Sequence, residues 1–265
     1  MHAMISDTIV AASDTVSCSA FYVALHVVCA FVSQRVSSSY RALPTFLART
    51  EWTAMFVSIV NGACVSWLTI PCIWRNTDFF TVRRNAPVPS EMQLAARLFF
   101  AYHLQDVLLV ALIIARAPKR SARVQGWIYA LHHAMVLSTW GGVVLVPRDT
   151  CLRRFALWTM PCELTSIFVN VRQLLIKTGR SSGALYATNG FLLLLTWYVT
   201  RVAMYIGGGV WFIRGHHTTF VTSGFVGAWA FVSFVGGAML QLYWAFLITM
   251  GIVKLIVGDG KKERC

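Results

Sequence analysis

Two adjacent histidines, His132 and His133, sit inside an apolar stretch, VQGWIYALHHAMVLSTWGGVVLV, over residues 124–146. Two imidazoles in hydrocarbon are costly to keep unless they pair with another group or line a cavity. An acid beside an imidazole stabilises its imidazolium, or fixes its tautomer and makes one ring nitrogen a better base. Two carboxylates are available at matching depth: Asp106 in the apolar run 96–117 and Glu163 in the run 152–176. Asp106, His132 and Glu163 each lie about 8 to 11 residues from a helix end, which is roughly 12–17 Å into the bilayer at 1.5 Å per residue.

Helical spacing sorts the remaining mid-span polar residues into faces. Tyr102 and His103 are four and three residues before Asp106, so all three share one face of their helix. Glu163, Ser166 and Asn170 share a face of the next-but-one helix, with Arg172 beyond them toward its end. Asn61, Asn189, Arg201 and Gln241 are the other mid-span polar groups. A single such residue reads as an interhelical hydrogen bond, worth only about 0.6 kcal/mol in membrane bundles. Asn189, near a helix start, reads as a cap. The whole set at one depth reads as a site: His132, His133, Asp106 and Glu163 as its chemistry, with Tyr102, Asn61, Asn170, Arg172 and Arg201 around a bound molecule.

Metal and cofactor chemistry find no matching pattern. The seven histidines include no HxxHH box, and His2 and His26 are remote, which excludes a membrane di-iron oxygenase. One histidine cluster does not supply ligands at two levels for a pair of haems. Lys254 is at the end of the last span, where it cannot hold retinal. His216 and His217, beside Arg214, read as a solvated loop pair. None of the seven cysteines forms a CxxC. Cys72 and Cys151 fall at span ends expected on one side, and whether they pair stays open. No metal and no resident cofactor are expected.

The elements that must position these groups are transmembrane helices. Of the 265 residues 57% are hydrophobic and 12% charged, against about 25% charged in soluble domains. Runs of this length and number suit an all-α polytopic bundle and not a barrel. About seven spans are expected, near 17–34, 51–73, 96–117, 124–146, 152–176, 185–208 and 223–256, the last with room to bend at Gly236-Gly237. A polar tail (1–16) precedes the first span, and a basic tail (258–265) follows the last. The net charge of +13 lies in the loops between spans, so the basic residues are topology determinants and headgroup contacts, and nucleic acid is excluded as a partner. Alternate loops carry Arg35, Arg41 and Arg49, then Arg116, Lys119, Arg120 and Arg123, then Lys177 and Arg180. By the positive-inside rule these face the cytosol, which puts the N-terminus in the lumen or outside and the C-terminus in the cytosol.

At this point the residues resemble the TLC-domain family of membrane proteins. Arg49-Thr50-Glu51-Trp52 resembles the basic-Glu-Trp opening of that domain, and Tyr102 to Asp106 its YxxxD. His132-His133 resembles its histidine pair, and Glu163 to Arg172 its ELSTPF-N-R signature. Asn189-Gly190 with Arg201, and finally Tyr243-Trp244, follow in the family's order. The resemblance covers residues 49–257 and is to the TLC-domain-containing proteins, not to the ceramide synthases proper. Four positions depart from the pattern. Glu163 and Ser166 stand where ceramide synthases carry two aspartates, Ile167 where the subgroup has proline, and Asn61 where relatives often have histidine.

The resemblance implies six core helices around a lipid-accessible tunnel, in the endoplasmic-reticulum membrane. It implies lipid handling or membrane lipid homeostasis, with an acyl-CoA-dependent fatty-acyl transfer at the histidines as the enzymatic form. Membrane lipids, fatty acyl-CoA or a sphingoid base, and a second copy of the chain are the partners it suggests. The alternatives are a non-enzymatic lipid sensor or transporter, and a structural subunit of a membrane complex.

Overall fold

The computed structural model describes residues 2–75, 88–116, 120–145 and 151–262. Among these the chain is helical throughout, with no strand, and it forms an all-α polytopic bundle. Helix α1 spans His2–Val36, and a single turn, α2 (Ser38–Arg41), leads to α3 (Phe46–Arg75). Then follow α4 (Ser90–Arg116), α5 (Arg120–Leu145) and the short α6 (Cys151–Trp158). A 3₁₀ turn (Met160–Glu163) joins α6 to α7 (Leu164–Lys177). Helix α8 (Ala184–Thr196) runs into a π-helical segment (Trp197–Gly208) and on into α9 (Gly209–Thr222); α10 (Gly224–Lys262) closes the chain.

Five of the described helices are long and apolar enough to cross a membrane: 13–36, 46–75, 90–116, 184–222 and 224–253. The expected first span therefore belongs to a longer helix, and residues 2–16 before it are helical as well. The other two expected spans fall on α5 and on the α6–α7 pair. The run 152–176 is not one helix. Pro161 has no N–H to donate and its ring clashes with the preceding turn, so the chain breaks at the 3₁₀ turn and α7 restarts after Glu163. The sixth span does not end at 208. Its π segment continues directly into α9, so His216 and His217 lie on a helix, kinked at His216, whose ring stacks on Phe212 at 4.5 Å. Gly236 and Gly237 mark no bend but close approach. A side chain at Gly236 would meet the methyl end of Met135, and one at Gly237 would run into the hydroxyl of Tyr205.

Packing closes a ring. Helix α3 lies against α4, α4 against α5, α5 against α10, α10 against α8 and its π segment, α8 against α7, and α7 against α3. Helix α1 packs outside the ring on α3 and α4. The largest buried cluster sits between α3, α4 and the α6 turn, with Val65, Met92, Phe99, Leu157 and Met160 at its centre. Outward faces carry large exposed apolar side chains such as Phe31, Trp67, Trp74, Phe191 and Phe246. That is the surface hydrocarbon requires: lipid, unlike water, exerts no pressure to bury them.

Candidate functional site

The ring encloses a cavity of about 630 Å³. All six ring elements contribute to its wall: Met55 and Ser58 from α3, Tyr102 and Asp106 from α4, Tyr129 and both histidines from α5, Ser166 and Asn170 from α7, Leu193, Trp197 and Arg201 from α8 and its π segment, and Trp244 and Leu247 from α10. Glu163 enters from the end of the 3₁₀ turn. Eight of the nine residues expected at the site line this one cavity. Asn61 is the exception; it is fully buried behind the wall.

The imidazoles form a cluster and not a simple pair. Nε2 of His133 donates to the Asp106 carboxylate at 3.0 Å, from one helix to the next. Its Nδ1 is buried with no partner. His103 lies beside His133: its Nδ1 donates to the Phe99 carbonyl at 2.9 Å, and its ring centre is 5.2 Å from that of His133 and 6.5 Å from that of His132. His132 turns toward the opposite wall, edge-on to Trp244 at 5.6 Å. Trp244 in turn meets Trp197 and stacks on Tyr129. The closing aromatic pair thus divides its work, with Trp244 on the cavity and Tyr243 exposed on the outer face.

Glu163 is held from two helices, α3 and α7, with α1 behind them. Asn61 Nδ2 donates to its Oε2 at 3.3 Å, and Ser166 Oγ, one turn on, donates to the same oxygen at 3.2 Å. Asn61 is itself oriented by Tyr22, whose hydroxyl donates to Asn61 Oδ1 at 2.7 Å. Tyr22 comes from α1, outside the ring, and is fully buried. Gly62, next to Asn61, lets α3 approach this turn: a β-carbon there would lie 2.7 Å from the Glu163 carbonyl oxygen. Asn170, on the same face, donates to Ser58 Oγ at 2.9 Å and ties α7 to α3. The one-face reading of Glu163, Ser166 and Asn170 therefore holds in three dimensions.

Arg201 is buried by the π segment and spends two donors on protein. Its Nε donates to Thr165 Oγ1 at 2.6 Å and its Nη1 to Gln241 Oε1 at 3.0 Å, with its guanidinium 4.6 Å over Trp197. Arg172 lies nearer the Lys177 end of the cavity, its guanidinium over the ring of Tyr186 at 4.0 Å. Across the same end Lys177 reaches Glu51 at 3.4 Å. Asn189 does not cap a helix. Gly183 holds the N-cap position of α8, and Asn189 is buried, donating to the Phe168 carbonyl at 3.0 Å.

Sequence reasoning missed five contributors. His103 was visible as a mid-span histidine one turn from Asp106, and its place beside His133 follows from that register. Gln241 was visible as the polar residue of the last span. Lys177 and Glu51, far apart in the chain, gave no sign of meeting. Tyr22 gave none either, because a tyrosine in an apolar helix looks the same whether its hydroxyl is used or not. Among the described residues no group of histidine, cysteine and acidic side chains is arranged to hold a metal ion.

The arrangement offers an amphipathic chamber. Met55, Leu109, Val169, Leu193 and Leu247 make apolar walls, and the imidazoles, two carboxylates and a guanidinium make a polar floor. Its volume falls within the roughly 300–1,000 Å³ usual for small-molecule sites. Against known proteins, the TLC domain pattern matches residues 51–250. The chain is also similar to TLC domain-containing protein 1 of Gallus gallus, with 28% identity over 164 residues, 62% of this chain and 61% of that protein. The matched stretch thus spans about three fifths of that relative's length. No solved structure matches the chain.

Proposed function

Because this chain belongs to the TLC-domain family, we propose that it is a lipid-handling integral membrane protein that takes one fatty-acyl lipid into the ring of helices, polar end toward His132, His133, Asp106 and Glu163. The observation that carries this reading is the cavity itself: about 630 Å³ of space in a membrane bundle, with apolar walls and a charged and imidazole floor. Keeping ionisable groups at bilayer depth is expensive, and such groups mark substrate paths. A lipid carbonyl or hydroxyl would meet donors there, while its chain would replace water along Leu193 and Leu247. The protein resides in the endoplasmic-reticulum membrane, with its N-terminus lumenal. Loop charge supports that orientation, and the family resemblance supports that membrane.

The test is lipid mass spectrometry on protein purified in detergent. Wild type is expected to retain a defined fatty-acyl lipid, and Ala54→Trp, which fills the cavity from α3, is expected to lose it. Equal lipid in a folded Ala54→Trp would place the lipid elsewhere and end the proposal.

One contact favours an enzymatic form of the same reading. With Nε2 of His133 donating to Asp106 at 3.0 Å, Nδ1 is the atom left to take a proton, as a general base must. The base would deprotonate an acceptor hydroxyl or amine; the acceptor would form a bond to the acyl carbon as the thioester C–S bond breaks; the thiolate would leave with the proton. Incubating the purified protein with palmitoyl-CoA and lipid acceptors tests it. Product or acyl adduct lost in His132→Ala/His133→Ala supports catalysis. Bound lipid with no turnover leaves the binding function alone.

A further inference from the structure

Behind the histidine wall lies a second chamber, of about 100 Å³, between α5, α6, the π segment and α10. It shares His132, Glu163 and Arg201 with the main cavity, so these three side chains have a face on each side. Its lining includes two hydroxyl residues, Ser233 from α10 and Thr139 from α5. Both oxygens are closed off from solvent and have no hydrogen-bond partner within the protein. Ser233 as a whole is 8% exposed.

A buried hydroxyl without a partner costs about 1–3 kcal/mol, and two in the lining of one small chamber need a common explanation. A water molecule needs about 10–15 Å³ of accessible space and two to four polar partners. The chamber has room for several, and Ser233, Thr139, Glu163 and Gln241 supply the partners. Phe155 and Phe234 also line it, and a chamber of such residues alone would stay dry; the hydroxyls and the carboxylate decide against that.

We propose that the back chamber is a water-binding site, in which a small water cluster joins Ser233 and Thr139 to His132 and Glu163 from the side away from the lipid. The cluster exchanges protons with that imidazole and that carboxylate while the main cavity is filled. Only this last clause rests on the lipid reading above; the hydration of the chamber does not.

The experiment is X-ray radiolytic footprinting of the full chain in detergent, in which hydroxyl radicals born from bound water oxidise the side chains beside it. Met135 lines the chamber, and Met92, fully buried in the main core, is the dry control of equal chemistry. Met135 is expected to be oxidised several-fold faster than Met92, because the radicals arise from bound water and a dry interior has none beside it. Ser233→Leu fills the chamber and is expected to bring Met135 down to the Met92 rate; Ser233→Val serves if the larger side chain prevents folding. Equal rates for the two methionines in wild type overturn the proposal. So does fast Met135 oxidation that persists in a folded filling variant, because that label comes from outside. The readout needs no lipid, so absence of a copurified lipid sinks the function proposed above while this result still stands or falls alone. Where lipid is bound, labelling that disappears on loading refutes the independence of the two chambers.

Discussion

Tyr22→Phe removes one oxygen from α1 and should be felt at Glu163, two hydrogen bonds away. Tyr22 is fully buried, and its hydroxyl is the donor to Asn61 Oδ1 at 2.7 Å. Phenylalanine keeps the ring, and with it the edge contact to Tyr102 at 5.8 Å and the packing on Val57 and Ala101. What is lost is one hydrogen bond, and what remains is a buried amide oxygen with no donor, for which about 1–3 kcal/mol is the expected cost. The amide is then no longer held in one sense, and the Nδ2 donation to Glu163 at 3.3 Å weakens. Asn61→Leu removes both bonds at once. A double-mutant cycle of Tyr22→Phe with Asn61→Leu should therefore give a coupling of about 0.6–1.7 kcal/mol, the range found for interhelical hydrogen bonds in membranes. Reversible unfolding in mixed micelles measures it, with the carboxyl stretch of Glu163 in isotope-edited infrared spectra as the local readout. Both single variants should shift that band. A coupling below about 0.3 kcal/mol, within ordinary additivity, would refute the relay. So would a Tyr22→Phe protein whose Glu163 band is unmoved.

Four further expectations come from other contacts. Gly62→Ala places a β-carbon 2.7 Å from the Glu163 carbonyl oxygen, a backbone atom that cannot swing aside, and should cost about 1–3 kcal/mol by forcing α3 off the 3₁₀ turn; an unchanged melting temperature would contradict that approach. Arg201→Met leaves Thr165 and Gln241 without their donor and should lower stability by about 1–3 kcal/mol, measured by the same unfolding, whereas Lys177→Ala breaks a half-exposed pair with Glu51 and should change it by less than about 1 kcal/mol. If His133 is a base, Asp106→Asn should keep stability within about 1 kcal/mol yet cut thioester turnover about a hundredfold or more; equal turnover would remove the pair from the chemistry. Gly190→Ala meets only the far end of Arg172, at 3.0 Å, so it should leave the melting temperature nearly unchanged while altering which headgroups copurify.

How the site was legible is clearest at α4 and α7. There, spacing of three and four residues is enough to put Tyr102, His103 and Asp106 on one face, and Glu163, Ser166 and Asn170 on another, because a helix repeats every 3.6 residues whatever surrounds it. The break at Pro161 was legible in principle, since proline removes a donor from any helix, but the apolar run across it masked the signal. The π segment was not. One extra residue per turn leaves hydropathy untouched, yet it rotates Arg201 toward Thr165 and Gln241. Asn189 was misplaced because capping depends on where a helix starts, and α8 starts at Ala184, five residues earlier.

The sequence by itself determined the class of the protein, the faces of its helices and the membership of its polar groups in one family pattern. All of these are properties of a single helix in hydrocarbon. Tertiary structure alone decided which faces meet. It set His133 on Asp106 and not on Glu163. It gave Glu163 to Asn61 and Ser166, and so to Tyr22 of a helix outside the ring. It also divided the space around His132 into two chambers. The reason is physical. Lipid exerts no hydrophobic force between helices, so their partners are chosen by close approach at small residues such as Gly62 and Gly237 and by hydrogen bonds between polar groups, and neither can be read from one helix at a time.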